Sequence, residues 1–338
     1  MDSASVRPPT RMRLFFWLIL GSLSVFFAEV VSGSDIYPFY KLVSWLMVFP
    51  LYTLHTLVLW SVIFRRGRGW LYALFPAGAI FGLYEAYITK VIWSPSWDSA
   101  PIYLGGVAVV ETLLLVLFWH AFMAFILPLF LAETALTSSR EVFSLLPGWA
   151  KRALTSGKAP VLAAVLVFAA GVFQSVGTPT PLDSLASGLL NSGFLMLLVL
   201  AWRRAGGDGY SLRELLPGPR GFKAMLALLG LVYLALGLLL RPEELPGLGA
   251  QATVWAMYAL FGLLLRRGIR LSKSVEELES NYALEASPGR MVFLAALFTA
   301  GSVLGSMTGL GFAFAMAVWI VGIAFGLFVL GQTVRHLF

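Results

Sequence analysis

Long, uninterrupted apolar segments dominate this chain and most constrain how it can fold. Each runs for about 17 to 25 residues, the length that an α-helix needs to cross a bilayer. Only 12% of the residues are charged, against roughly 25% in soluble proteins. A soluble chain of this length would show helices with one polar face instead. The sequence therefore predicts an all-α protein, a polytopic transmembrane helical bundle.

Ten spans are predicted. They cover residues 13–32, 42–64, 70–93, 102–132, 159–176, 184–202, 223–240, 249–265, 291–308 and 312–332. The last two form one apolar run, which as a single helix would reach about 60 Å, twice the hydrocarbon thickness. We therefore expect a turn within "SMTGLG", residues 306–311.

The basic residues are distributed unevenly between the two sides of the predicted membrane. The two termini and the even-numbered loops hold 21 of the 24 Lys and Arg residues, and the opposite side holds only Lys41, Lys90 and Arg241. The positive-inside rule then places both the N-terminus and the C-terminus in the cytoplasm. This pattern accounts for the net charge of +7, so we predict no nucleic-acid partner. The pattern is that of a multi-pass protein of a prokaryotic cell (plasma) membrane, with the lipid bilayer as its main partner.

The two halves of the chain differ in polarity within one integral membrane domain. The N-terminal half, residues 1–158, has four spans and carries the intramembrane Glu and His residues. The C-terminal half, residues 159–338, has six spans and is rich in glycine. Its Gly301, Gly305 and Gly309 follow a four-residue spacing that favours close helix packing and allows a homo-oligomer.

Five ionisable residues fall deep within the predicted spans of the N-terminal half. They are Glu29 on the first span, His55 on the second, Glu85 on the third, and Glu111 and His120 on the fourth. Burying such a group in a bilayer costs at least about 2.5–3.5 kcal/mol, so these side chains should face the bundle interior. They are the predicted proton- or cation-binding residues.

The depths of these residues favour a single site. At about 1.5 Å per residue, Glu29 and Glu85 lie roughly 22 Å from the cytoplasmic ends of their spans, and Glu111 roughly 14 Å from its outer end. The three carboxyls would then share one layer, with His55 below them and His120 lower again. Such a column could bind a proton or a cation. No cofactor is assigned, although carboxylates and imidazoles also permit a divalent metal ion.

The third span carries a stripe of small residues beside its glutamate. Gly78, Gly82, Glu85 and Thr89 share one helical face, and small residues let a neighbouring helix approach closely. Glu85 should therefore point away from lipid. Lys90 points elsewhere, and we expect it to extend its amine to the outer surface.

Several catalytic signatures are absent from the sequence. It has no H-E-x-x-H zinc-protease motif, no G-x-S-x-G nucleophile motif, no nucleotide-binding P-loop and no cysteine. The first hypothesis is a secondary transporter or ion-coupled permease for a small solute or ion. An intramembrane enzyme acting on a lipid or lipid-linked substrate through Glu and His chemistry is the alternative. The third hypothesis is a structural membrane subunit.

Overall fold

The computed structural model describes residues 8–64, 68–69, 71–97, 100–274 and 287–338. In this part of the chain, nine helices are long and apolar enough to cross a membrane. The predicted all-α membrane bundle is confirmed. The predicted turn is confirmed as well, because one long helix ends at Thr308 and the next begins at Leu310. Gly309 joins them with φ of 70°, a conformation that glycine adopts without strain.

Four membrane segments make up the N-terminal half. They are α1 (Thr10–Val25) with a π-helix (Phe26–Val30); a π-helix (Ser44–Val48) with α2 (Phe49–Phe64); α3 (Leu71–Gly82) with α4 (Tyr84–Tyr87); and α5 (Val109–Thr112), a π-helix (Leu113–Ile126) and α6 (Leu127–Leu136). The third segment is broken after Gly82 and differs from the continuous span predicted at 70–93, so nine long apolar helices are found in the described chain where ten spans were predicted. Pro76 lies inside α3, where it removes one helix hydrogen bond.

Two short helices, α7 (Glu141–Leu145) and α8 (Gly148–Thr155), end the N-terminal half. The described part of the C-terminal half contains six long helices and the short α11. Its helices are α9 (Ala159–Gln174), α10 (Pro181–Arg204), α11 (Leu212–Leu215), α12 (Pro219–Leu239), α13 (Leu248–Leu271), α14 (Pro288–Thr308) and α15 (Leu310–Leu337). Two short antiparallel pairs join loops: β1 (Arg68–Gly69) with β4 (Lys273–Ser274), and β2 (Tyr103–Leu104) with β3 (Val107–Ala108).

The N-terminal segments occupy the centre of the bundle. Between 61% and 67% of residues are buried in the most apolar part of the helices Thr10–Val30, Ser44–Phe64 and Val109–Leu136. The corresponding share is 11–33% in the six long helices of the C-terminal half. The deep polar residues therefore lie on the inner helices, and the outer helices present large apolar side chains suited to lipid.

The π-helix Leu113–Ile126 is an unusually long one, since π-helices mostly occur as single turns and often at functional sites. It gives way to α6 immediately before Pro128. A proline has no N–H to offer the preceding turn, so the hydrogen-bonding pattern must change there. The π-helix also carries His120, and the shorter one at Phe26–Val30 carries Glu29.

Glycines bring α9 and α14 into backbone contact. A Cβ atom on Gly301 would lie 2.2 Å from the Phe168 carbonyl oxygen, and one on Gly305 would lie 3.0 Å from the Val172 carbonyl oxygen. The close packing predicted from the glycine spacing is therefore present at these two positions. Gly309 has no atom in the described chain within 4 Å of such a Cβ, and it forms the turn instead.

Lys90 is buried, so the prediction that it reaches the outer surface is wrong. Its side chain is 1% exposed, and its Nζ donates hydrogen bonds to the carbonyl oxygens of Gly237 (2.6 Å) and Leu240 at the end of α12. The carbonyl end of a helix carries partial negative charge, which an ammonium group stabilises. Lys90 therefore fastens the broken third segment to α12.

The orientation of the bundle gives a prediction that can be tested without a substrate. The uneven distribution of basic residues places Phe338 in the cytoplasm and the exposed Ser96 outside. A reporter active only in the cytoplasm should work when fused after Phe338 and fail when inserted at Ser96. A working reporter at Ser96 would overturn the predicted topology.

Candidate functional site

A chain of buried polar side chains links the first four membrane segments. It consists of Glu29, Tyr52, Tyr84, His120 and Glu85, and we refer to it as the Glu29–Glu85 network. Two members lie on π-helices, Tyr52 lies on α2, and the adjacent pair Tyr84 and Glu85 lies on α4. The break in the third segment thus produces the short helix that presents both a hydroxyl and a carboxyl to the bundle interior.

Three short hydrogen bonds and one ion-pair contact connect the members of the network in sequence. The Tyr52 hydroxyl donates to Glu29 Oε1 over 2.6 Å and lies 2.8 Å from the Tyr84 hydroxyl. The Tyr84 hydroxyl lies 3.0 Å from His120 Nε2. His120 Nε2 in turn lies 3.3 Å from Glu85 Oε1. A continuous path of polar hydrogens and lone pairs therefore joins two carboxyl groups.

The contacts of His120 allow its ring to share a proton with Glu85. Its Nδ1 lies 3.0 Å from the Leu115 carbonyl oxygen, which can only accept, so Nδ1 carries a hydrogen. In the neutral ring, Nε2 can accept a hydrogen bond from the Tyr84 hydroxyl at 3.0 Å. A proton added to the pair can lie on Nε2, which makes the imidazole a cation beside the carboxylate, or on the Glu85 carboxyl.

The two carboxyl groups differ in their access to the surface. Glu29 is half-buried, and its Oε2 accepts a hydrogen bond from the exposed Ser34 hydroxyl. Glu85 is buried, with its Oε2 accepting from the Thr89 hydroxyl. Because the loop after Glu29 lies on the side predicted to be extracellular, Glu29 is the point where the network meets that surface.

His55 lies beside the network and forms a separate hydrogen-bonded branch. Its ring stacks on Phe81 at 4.6 Å between centroids. Its Nδ1 bonds to the Leu51 carbonyl oxygen at 2.8 Å, and its Nε2 lies 2.9 Å from the Tyr233 hydroxyl. The Tyr233 hydroxyl lies 3.5 Å from the Tyr258 hydroxyl on α13, which extends the branch. Among the described residues, no hydrogen bond joins His55 to the network.

Glu111 is buried and lies close to the start of its helix. It is 2% exposed and belongs to the first turn of α5. The helix begins at Val109 rather than near residue 102, which moves its residues outward by about 10 Å relative to the sequence prediction. The same shift brings His120 to the level of Glu85.

A further carboxylate, Glu133, has a structural partner. It is fully buried, and its two carboxyl oxygens accept hydrogen bonds from the backbone N–H groups of Val142 (2.8 Å) and Phe143 (2.9 Å). These donors belong to the first turn of α7, where N–H groups lack partners within the helix. Glu133 therefore stabilises the start of α7.

The glycine face of α3 sets the position of His120 relative to Glu85. A Cβ atom on Gly78 would lie 2.6 Å from Ala121 Cα, and one on Gly82 would lie 2.9 Å from Val116 Cα. The backbone of α3 therefore touches the π-helix Leu113–Ile126 directly, as the small-residue stripe predicted. A larger side chain at either glycine would move the His120 imidazole away from the Glu85 carboxyl.

The described residues form no multidentate site for the divalent ion that the sequence allowed. Across the described ranges, no group of three or more His, Asp or Glu side chains is placed to hold a metal ion. The carboxyls of the network are instead occupied by hydroxyl and imidazole partners. The arrangement suits proton binding and transfer.

Sequence reasoning missed the two tyrosines that connect the network. Tyrosine in membrane proteins is usually found near the membrane surface, where it indicates an interface and not an internal site. Tyr52 and Tyr84 lie well inside their predicted spans, where a hydroxyl needs a partner. Their depth, and the direct succession of Tyr84 and Glu85, was the available signal.

Comparison with known proteins identifies relatives for almost the whole chain. A family model described as "Uncharacterized membrane protein family" matches residues 18–338. A protein of Archaeoglobus fulgidus, described as "Uncharacterized protein", is 35% identical over 257 residues, covering 75% of this chain and 78% of the relative. No solved structure matches.

Proposed function

We propose that this chain, which belongs to the membrane protein family matched over residues 18–338, is a proton-coupled secondary transporter of a small solute or ion. Its cellular location would be the cell membrane of a prokaryote, in agreement with a relative from Archaeoglobus fulgidus. The Glu29–Glu85 network would bind the coupling proton. Intramembrane Glu and His residues that face a bundle interior commonly mark such proton pathways.

One observation carries the proposal: His120 Nε2 and Glu85 Oε1 lie 3.3 Å apart in a buried site, close enough to share a bound proton. An isolated charge is costly to bury, so a proton bound here is held between the His120 imidazole and the Glu85 carboxyl. A site of this kind can exist with the proton bound or without it. Loading and unloading give two states between which a transporter can alternate.

The remaining members provide a route between this site and the surface. A proton on His120 Nε2 can pass to the Tyr84 oxygen while the Tyr84 proton passes to Tyr52. The Tyr52 proton then passes to Glu29 Oε1, so His120 becomes neutral and Glu29 becomes a carboxylic acid. Each transfer spans 3.0 Å or less, within the range of direct hydrogen bonds.

An intramembrane enzyme is the second candidate, because Tyr84, His120 and Glu85 form an acid–base group. Within the described chain, this group reaches the surface through Glu29 and Ser34. An enzyme would use the group from one side of the membrane only, whereas a transporter must expose it to both sides in turn. Proton movement across the membrane therefore distinguishes the two candidates.

The test uses purified protein in liposomes with a trapped pH indicator and an imposed membrane potential. We expect proton flux above that of protein-free liposomes. Tyr52→Phe and Tyr84→Phe should each lower that flux about tenfold or more, because each removes one hydroxyl on which proton transfer depends. Tyr233→Phe is the matched control, since this hydroxyl bonds to His55 outside the network.

Equal flux in wild type, Tyr52→Phe and Tyr84→Phe would reject the proposed route. Proton flux no greater than that of empty liposomes, with and without a library of small solutes outside, would reject transport. In that case the network would remain a candidate acid–base site for an enzyme.

A further inference from the structure

A second buried polar site lies in the C-terminal half, away from the proton network. It contains Gln174 at the end of α9, Ser187 and Asn191 on α10, Ser302 on α14, and the backbone carbonyl of Ile36. We refer to these groups as the amide cluster. The four side chains are 0% exposed, and none carries a charge. Neutral polar groups of this kind are expected to be fully hydrogen-bonded when buried.

The hydrogen bonds of Asn191 fix the orientation of its amide. Its Nδ2 lies 2.8 Å from the carbonyl oxygens of both Ile36 and Ser187. Carbonyl oxygens only accept, so the nitrogen must face them and both of its hydrogens are used. The Oδ1 atom therefore points the other way, and within the described chain it has no hydrogen-bond partner.

The same reasoning fixes Gln174. The Ser187 hydroxyl donates its one hydrogen to the Ile36 carbonyl oxygen at 2.8 Å. Its oxygen can then only accept, and it accepts from Gln174 Nε2 at 2.6 Å. Gln174 must therefore direct its Oε1 away from Ser187. That buried oxygen, like Ser302 Oγ, has no hydrogen-bond partner among the residues that the structure describes.

Helix packing brings these oxygens onto neighbouring surfaces. A Cβ atom on Gly171 would lie 2.9 Å from the Ser302 nitrogen, so α14 touches α9 one turn before Gln174. A Cβ atom on Gly188 would lie 2.6 Å from Thr299 Oγ1, so α14 also touches α10 beside Ser187. Ser302 is one turn from Thr299 on α14. The three residues thus lie on three helices that pack against one another at this level.

We infer that the amide cluster binds a monovalent alkali cation, Na⁺ in particular. Amide and hydroxyl oxygens are suitable hard ligands, and no carboxylate takes part in the hydrogen bonds of the cluster within the described ranges, which disfavours a divalent ion. Gln174 is also the last residue of α9, whose carbonyl end attracts cations. Membrane transporters bind Na⁺ at such helix ends. The inference does not depend on the proton network.

The test compares the thermal unfolding of purified protein in NaCl, KCl and choline chloride at equal concentration. At Na⁺ concentrations about ten times the dissociation constant, Tm should rise by about 2 °C or more relative to choline. Ser302→Ala should raise the Na⁺ concentration for half of this effect about tenfold, because one ligand is lost. Ser192→Ala is the matched control, since this hydroxyl on α10 bonds to the Gly188 carbonyl oxygen.

Binding of radioactive Na⁺ to the wild-type protein provides a second measurement that needs no variant. Saturable binding that Ser302→Ala weakens and Ser192→Ala leaves unchanged would support the site. Identical Tm values in the three salts together with no saturable Na⁺ binding would overturn it, and water would then satisfy the buried oxygens. Equal Na⁺ affinity in wild type and Ser302→Ala would place any binding elsewhere and would overturn the assignment to this cluster.

Discussion

Glu85→Gln should abolish proton flux while leaving the fold intact. Glutamine has nearly the shape of glutamate, so the Thr89 hydroxyl keeps an oxygen to which it can donate. The amide cannot take up or release a proton, so the group beside His120 Nε2 no longer exchanges one. We expect flux in liposomes to fall at least about a hundredfold, the size of effect found when a proton-transferring group is removed.

The stability of this variant separates function from structure. Removing a buried ionisable group often leaves a protein equally stable or more stable. Thermal unfolding of Glu85→Gln should therefore match wild type to within about 1 kcal/mol. A large loss of stability together with the loss of flux would mean that Glu85 holds the bundle together rather than carrying protons.

Glu133→Gln is a control for which we expect the reverse result, a loss of stability with proton flux retained. Glu133 accepts two backbone hydrogen bonds at the start of α7 and lies outside the network. Its amide replacement loses one of two charge-assisted bonds, so we expect a loss of about 1–3 kcal/mol with flux retained. A stable Glu85→Gln protein with full proton flux would remove Glu85 from the proposed relay.

The sequence indicated which helices carry the polar chemistry but not how they are connected. The depths of Glu29 and Glu85 could be estimated because each lies on a segment whose inner end is marked by basic residues. Both residues belong to the network. The two tyrosines that connect them could not be predicted. A tyrosine inside a span faces a neighbouring carboxyl only at certain rotations of its helix, and uniformly apolar segments do not specify that rotation.

Irregular backbone accounts for most of the remaining differences. The outer strand pair Tyr103–Ala108 uses residues that appeared to belong to a span, and it moves the start of the following helix to Val109. Glu111 thereby loses its predicted depth, whereas His120 reaches Glu85. Hydropathy alone does not distinguish an apolar hairpin from the first turns of a helix. The burial of Lys90 has a similar origin, since its partners are carbonyl groups that no side-chain pattern reveals.

Gly82→Leu should destabilise the protein strongly, because the backbone of α3 lies against the π-helix at this position. A Cβ atom on Gly82 would be 2.9 Å from Val116 Cα and 3.1 Å from His120 Cβ. Even a methyl group would force these elements apart, and leucine adds three more carbon atoms. Overpacking of a buried contact costs about 1–3 kcal/mol, with larger values where backbone atoms must move. Tm in detergent and in lipid should therefore fall clearly below that of wild type.

Gly230→Leu provides the matched control for the same substitution. Gly230 lies on the exposed face of α12, and no atom of the described chain is within 4 Å of a Cβ placed there. Its replacement should change stability by no more than about 0.5 kcal/mol. If Gly82→Leu unfolded at the same temperature as wild type and Gly230→Leu, α3 could not pack on the π-helix in this way. The short distance between His120 and Glu85 depends on that packing, so the same result would also remove the geometric basis of the proton site.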